Sequence, residues 1–156
     1  MAQGALQLTY ADFGRDHPEA VAALLALGKA TDASGIEKSL TELVKLRVSQ
    51  INGCAFCAEL HLRMARRNGV DGARLDLLPV WREAAVYSAR ERAALGWAEH
   101  VTLTPAAAPG DGLRAALDSA FGEGELVALT IAIANVNAWN RIAGALHFPP
   151  MLPEGA

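Results

Sequence analysis

Apolar positions along the chain recur mostly at helical spacing. Leu40, Leu43, Val44 and Ile51 make a stripe over about 36–50, and Ala94, Leu95, Ala98 and Val101 make another over about 88–100. A run from Val21 to Leu27 follows Asp16-His17-Pro18, where proline suits a first helical turn, and Gly28 to Gly35 reads as its end. Ser34-Gly-Ile-Glu37 and Ser88-Ala-Arg-Glu91 have capping-box spacing. Asn52-Gly53 and Asn68-Gly69 are breaker pairs that bracket a helix from Cys54 to about Arg67. Asp71 opens a short helix ending near Leu78-Pro79, and Trp81 to Val86 reads as another turn or two. Thr104 to Gly110 reads as a loop, Asp111 as the cap of a helix to about Phe121, and Gly122 to Gly124 as the next break. The last helix, about 125–146, is apolar nearly all round. A strand over Leu126 to Ile133 is its rival, but the length and recurring alanine favour helix. Such a helix is buried on several sides, which in a small domain points to a subunit interface.

The expected fold is therefore all-α: one domain over 1–156, with an extended N-terminal arm at 1–15 anchored by Leu6, Leu8, Tyr10 and Phe13, and an irregular tail at 148–156. Composition agrees, because alanine and leucine outnumber β-branched and aromatic residues. A net charge of −3 argues against a nucleic-acid partner, and Arg63, Arg66 and Arg67 beside Glu59 read as a solvated helix face. The N-terminus lacks a basic segment followed by an apolar one, and no stretch reaches the roughly 18 apolar residues of a membrane span. The expectation is a cytoplasmic protein without a membrane partner.

The chemistry concentrates in Glu42 to His61. Both cysteines, Cys54 and Cys57, lie there three positions apart, and His61 follows four positions later. On one helix these offsets put all three side chains on one face, with the thiols close enough for a disulfide. The helix N-terminus stabilises a thiolate, and His61 can take or hold a proton. Glu42, on the preceding helix, can fold back across Asn52-Gly53 to fix the histidine tautomer, and Ser49 can share its face. A thiolate beside a thiol supports peroxide reduction through a sulfenic acid and then a disulfide, which an external dithiol reduces. That route needs no metal or organic cofactor.

Other uses of the motif are weighed against this one. A zinc site needs a fourth ligand from His17, His100 or His147. Haem attachment needs histidine where Ala58 stands. Inert buried cysteines with a core histidine are the plain structural alternative. A thioredoxin fold lacks its βαβ surroundings. Asn137, Trp139, Asn140 and Arg141 read as packing and interface residues, Trp81 and Trp97 as core or pocket wall, and His100 and His147 as helix-end residues.

Glu42, eleven intervening residues, Cys54-Ala-Phe-Cys57, three residues and His61 together resemble the signature of the AhpD-like alkylhydroperoxidases of the carboxymuconolactone decarboxylase superfamily. Leu46 to Cys54, Tyr87 to Leu95 and Asn137 to Arg141 resemble it too, so the likeness covers roughly 20–146. It implies an AhpD-like core of about six to eight helices, assembled as a trimer or hexamer. It also implies peroxidase activity on organic hydroperoxides, with Cys57 peroxidatic, Cys54 the proton donor and resolving thiol, and Glu42 with His61 the proton relay. Helix-end electrostatics alone instead favour Cys54 as the more acidic thiol. The best-known members carry a histidine where this chain has Phe56, which shortens the relay and makes the entrance more apolar. Two further functions stay open: a redox adaptor or sensor working by disulfide exchange, and a non-catalytic helical oligomer.

Overall fold

The computed structural model describes residues 7–104 and 106–152. Among them are eight α-helices and no strand: α1 (Tyr10–Asp16), α2 (Pro18–Ala33), α3 (Lys38–Ile51), α4 (Ala55–Arg67), α5 (Gly72–Asp76), α6 (Ala89–Leu103), α7 (Asp111–Ala120) and α8 (Glu123–Ala145). A 3₁₀ turn, Leu78–Val80, follows α5. The expected all-α class is what the chain adopts, and the strand alternative for Leu126 to Ile133 is not.

Helix α3 is the axis. It packs against α4, α6 and α8 at once. Leu43, Val44 and Val48 are fully enclosed there, with Leu78, Leu95, Ala98, Leu129 and Ile133 in the same core. Burying side chains of this size contributes about 1.5–3 kcal/mol each. Helix α8 lies beside α2, α3 and α6. By length and composition this 23-residue helix would pass for a membrane span, with an 18-residue stretch of mean hydropathy 1.2. Here its apolar face fills the protein core instead. Three asparagines tie it to three neighbours: Asn135 donates to Leu24 O of α2 at 3.1 Å, Asn137 to Thr102 Oγ1 of α6 at 3.1 Å, and Asn140 to Ser49 Oγ of α3 at 3.1 Å.

The α3–α4 hairpin depends on two residues. Gly53 has φ +66°, the left-handed region that favours glycine. Asn52 Nδ2 donates to Asn137 Oδ1 at 2.9 Å and to Asn140 Oδ1 at 2.8 Å, pinning the turn to α8. The chain therefore reverses at a fixed point, and Cys54 N–H closes the turn on Ser49 O at 3.0 Å.

Several boundaries differ from the expected ones. The extended arm is helical from Tyr10, because Thr9 and Asp12 form a capping box that starts α1. Leu6 lies outside the described residues. Helix α2 runs through Gly28 to Ala33, so Ser34 serves as its C-cap and bonds back to Thr31 O at 2.6 Å. The expected box at Ser34–Glu37 does not form, and Glu37 pairs instead with Arg90 at 2.8 Å. Gly110 rather than Asp111 caps α7. Trp81 to Val86 is a series of turns, not helix. Trp81 Nε1 and Arg82 there both reach the carboxylate of Glu99, which Arg47 also holds at 2.8 Å. Phe148 to Leu152 carries no regular structure, and the rest of the expected tail lies outside the described residues.

A β-carbon at residue 53 would touch nothing within 4 Å, so Gly53→Ala tests the backbone conformation alone. We expect it to lower stability by about 1–2 kcal/mol in urea unfolding. An unchanged midpoint would show that the turn does not need glycine.

Candidate active site

Glu42 is the most enclosed charged group among the described residues, 2% exposed on α3. Lys38, Glu42 and Lys45 stand four and three residues apart, hence on one helix face. Lys45 Nζ donates to Glu42 Oε1 at 3.0 Å, and Lys38 Nζ lies 3.2 Å from the same oxygen. The other oxygen, Oε2, is 2.7 Å from His61 Nδ1 across the hairpin. Burial works against the carboxylate's charge, but the His61 hydrogen bond and the Lys45 ammonium outweigh it and hold the pKa at about 2. For His61, burial is the dominant influence and lowers its pKa despite the neighbouring carboxylate. The ring is thus neutral at neutral pH. Its Nδ1–H goes to Glu42, which leaves the Nε2 lone pair as the free basic position.

The two thiols are not equivalent. Cys54 is the N-cap residue of α4, just before the helix rather than within its first turn, and its sulfur accepts the Cys57 backbone N–H at 3.3 Å. The hydrogen bond from the Cys57 thiol is the largest influence on Cys54. With backbone N–H groups and the Asn140 amide it overcomes burial and brings the pKa down to about 7. Cys57 is pushed up, first by that same hydrogen bond to Cys54 and then by burial. Both are free thiols and both are buried. Negative charge therefore rests on Cys54 at the helix end, while Cys57 carries its proton.

A cavity of about 360 Å³ opens beside this pair, and Cys57, His61 and Phe56 share its wall. Cys54 is not part of that wall. No hydrogen bond joins His61 to either sulfur among the described residues; the ring and Cys57 both line the cavity. Phe56, which replaces the family's additional histidine, lines the cavity but is only 4% exposed. It stacks on Tyr10 with ring centroids 5.7 Å apart and meets Phe148 edge-on at 5.4 Å. Phe13 completes the cluster against Phe148 at 5.6 Å and Trp139 at 6.3 Å. The apolar entrance expected from Phe56 is thus an aromatic cluster that also gathers both ends of the described chain around the cysteines.

The remaining histidines lie elsewhere. His17 packs on Phe13, His100 stacks on Trp97 and bonds Ala107 O at 2.9 Å, and His147 sits just beyond α8 with φ 55°. No group of three metal-ligating side chains gathers among the described residues.

Sequence reasoning undervalued Asn140. It is 4% exposed, donates to Ser49 Oγ, accepts from Asn52, and its amide favours the thiolate form of both cysteines. Ser49, expected beside Glu42, is fully buried and donates to Lys45 O at 2.8 Å, so it braces the turn instead of the relay. Trp139 is a cavity wall residue. The available signal was the polar run 137–141 in an otherwise apolar helix, opposite the Asn52 turn.

Comparison with known proteins places this geometry. Residues 18–100 match the model of the carboxymuconolactone decarboxylase family, and the chain belongs to that family. An uncharacterised protein of Bacillus subtilis, YdfG, is 39% identical over 129 residues, 83% of this chain and 88% of that one. The crystal structure of a protein of unknown function from Agrobacterium tumefaciens, provisionally named as the antioxidant defence protein AhpD, superposes with TM-score 0.85 at 37% identity. It covers 94% of this chain and 100% of its own. The debrominase Bmp8 shares the fold alone, with TM-score 0.77 at 23% identity over 89% of this chain and 74% of its own. The chain is thus AhpD-like within its family.

Thiolate absorbance near 240 nm in the reduced protein should titrate with a midpoint of about 7, and this step should vanish in Cys54→Ser. A midpoint near that of an ordinary thiol, or a step that survives the substitution, would contradict the asymmetry. Acid stability gives a second check. Glu42 and His61 both have pKa values lowered by folding, so the unfolded chain binds more protons and stability falls as pH drops. The His61 contribution should fade below about pH 6.5 and the Glu42 contribution from about pH 4.5 towards 2. Urea unfolding at stepped pH should show the lower limb flattened in Glu42→Gln.

Proposed function

We propose that the protein is a thiol peroxidase that reduces organic hydroperoxides through Cys57 and Cys54, with Glu42 and His61 as its proton relay. The observation that carries this reading is the Glu42–His61 hydrogen bond of 2.7 Å on the wall of a cavity where Cys57, and not Cys54, is also present. A general base oriented by a buried carboxylate beside a thiol is the arrangement that activates a nucleophile. The likeness to a protein provisionally named as an antioxidant AhpD agrees with it.

The steps balance without a cofactor. Cys57 gives up its proton to the Cys54 thiolate or to His61 Nε2, and its sulfur attacks the distal peroxide oxygen. The O–O bond breaks, Cys57 becomes a sulfenic acid, and the departing alkoxide takes a proton from the relay to leave as the alcohol. Cys54 sulfur then attacks Cys57 sulfur, forming the disulfide and releasing hydroxide, which is protonated to water. An external dithiol returns two electrons by exchange and leaves as its own disulfide. Cys54 at the helix cap is suited to both parts, since a proton it takes from Cys57 is readily passed on to the departing alkoxide, which leaves it ionised again for the second attack. The order of thiols implied by the family resemblance and the acidity of Cys54 are therefore compatible: the acidic cysteine serves the one that meets substrate.

Self-association belongs to the same reading. Leu27 of α2 and Val127 of α8 are 45% and 54% exposed, leaving apolar surface for another copy.

The test is peroxide consumption with a dithiol donor, followed by stopped flow with tert-butyl hydroperoxide, with mass spectrometry for the Cys54–Cys57 disulfide. Cys57→Ser should abolish turnover, and His61→Ala should lower it by about 10²–10⁴. Full activity in the Cys57 variant would sink the mechanism. Fast exchange with a partner disulfide but negligible peroxide turnover would identify an adaptor or sensor instead.

A further inference from the structure

We propose that the cavity beside Cys57 selects organic hydroperoxides that carry a single carboxylate on an apolar chain, with Lys29 holding that carboxylate at the rim. The inference rests on the peroxidase reading for the reacting end of the molecule. Its carboxylate end stands on separate observations.

The first is shape and polarity. At about 360 Å³ the cavity is near the lower end of the roughly 300–1,000 Å³ usual for small-molecule sites. Leu24, Leu25, Leu60, Val136 and Trp139 supply its apolar wall. Leu25 is 46% exposed, an apolar surface with no protein covering it that a bound chain would bury.

The second is charge. Three lysines line the cavity: Lys29, Lys38 and Lys45. Lys38 is shared between Asp32 at 2.7 Å and Glu42 at 3.2 Å, and Lys45 is held by Glu42 at 3.0 Å. His61 is neutral, so two carboxylates offset two ammonium groups. Lys29 has no ion-pair partner among the described residues and is the surplus. The rim thus carries one net positive charge, although the whole chain is at −3. One surplus charge matches a monoanion; a dianionic phosphate monoester would leave one charge unmet against an apolar wall.

The third is placement. Leu24, Leu25, Gly28, Lys29 and Asp32 stand on one face of α2, the face that lines the cavity. The apolar wall and the cation are therefore neighbours on a single rigid element, while Cys57 and His61 are on α4. A molecule bridging the two helices would have its ends in different surroundings, one at the sulfur and one at the ammonium group. Asn135 adds a polar contact point. It is 8% exposed in the cavity wall, gives its amide N–H to Leu24 O, and leaves Oδ1 without a partner, an acceptor suited to an O–H group.

The test compares one hydroperoxy fatty acid with its methyl ester, which differs only in charge, on the full chain with its dithiol donor. The acid should be preferred in kcat/KM by about threefold to fivefold, the scale of a partly exposed ion pair, with the difference in KM. Lys29→Ala should erase the preference and Lys29→Glu should invert it. In parallel, calorimetry should show decanoate binding the reduced protein about threefold to fivefold more tightly than methyl decanoate, with that difference lost in Lys29→Ala. Equal handling of acid and ester, with no Lys29-dependent decanoate binding, would overturn the inference and leave the peroxidase reading standing. No turnover of either hydroperoxide, with decanoate binding intact, would overturn the peroxidase reading and keep the carboxylate site.

Discussion

A carboxylate placed almost entirely out of water has to be compensated, and Glu42 is compensated from three directions. Lys38 and Lys45 come from its own helix and His61 from the next one. The desolvation cost of such a group is several kcal/mol, so the arrangement is stable only while all three partners are in position. This constrains the fold around it. Helix α3 must be central, because only there is the carboxylate covered. Helix α4 must return antiparallel at close range, because the histidine must reach across. The hairpin turn must therefore be short and fixed, and Asn52 and Gly53 make it so. The same constraint fixes the chemistry, since a histidine bound through Nδ1 to a charged acid has only one nitrogen left with which to act.

The turn has a second effect. By ending α3 and starting α4 within three residues it leaves Cys54 as the cap of the new helix and Cys57 one turn inside it. Two identical side chains then have opposite characters. One accepts hydrogen bonds from the helix end and holds charge; the other is buried, protonated and open to the cavity. The difference comes from backbone position rather than residue type; Asn140, on the opposite helix, favours the charged form of both and does not create it.

Much of this was legible in the sequence because it depends on local spacing. The offsets among Cys54, Cys57 and His61, the breaker pair at 52–53 and the capping box at Ser88–Glu91 are short-range patterns, and the helices they predict are present. Glu42 could be assigned to the histidine because a two-residue turn leaves few places for the preceding helix to go. The missed features involve long separations or weak patterns. The capping pair Thr9–Asp12 is short and precedes no long apolar run, so α1 was hidden. Asn140 and Asn52 are 88 positions apart. The rim lysines are ordinary surface residues in sequence, and only the packing of α2 against α8 makes them neighbours of a cavity. Phe56 looked like a lost proton carrier; its packing role appears only when Tyr10 and Phe148 are brought to it.

That aromatic cluster links the ends of the described chain to the cysteine pair. Tyr10 and Phe13 enter from one side, Phe148 from the other, and both rest on a ring that stands between the two cysteines in sequence. The sulfurs are in consequence roofed by segments far from them along the chain. A small molecule can reach Cys57 through the cavity, whereas a bulky one meets this roof first. Access to the sulfurs from that side is thus set by segments that are distant in sequence. A change at Tyr10, Phe13 or Phe148 would therefore alter the surroundings of the thiols while leaving Glu42 and His61 in place.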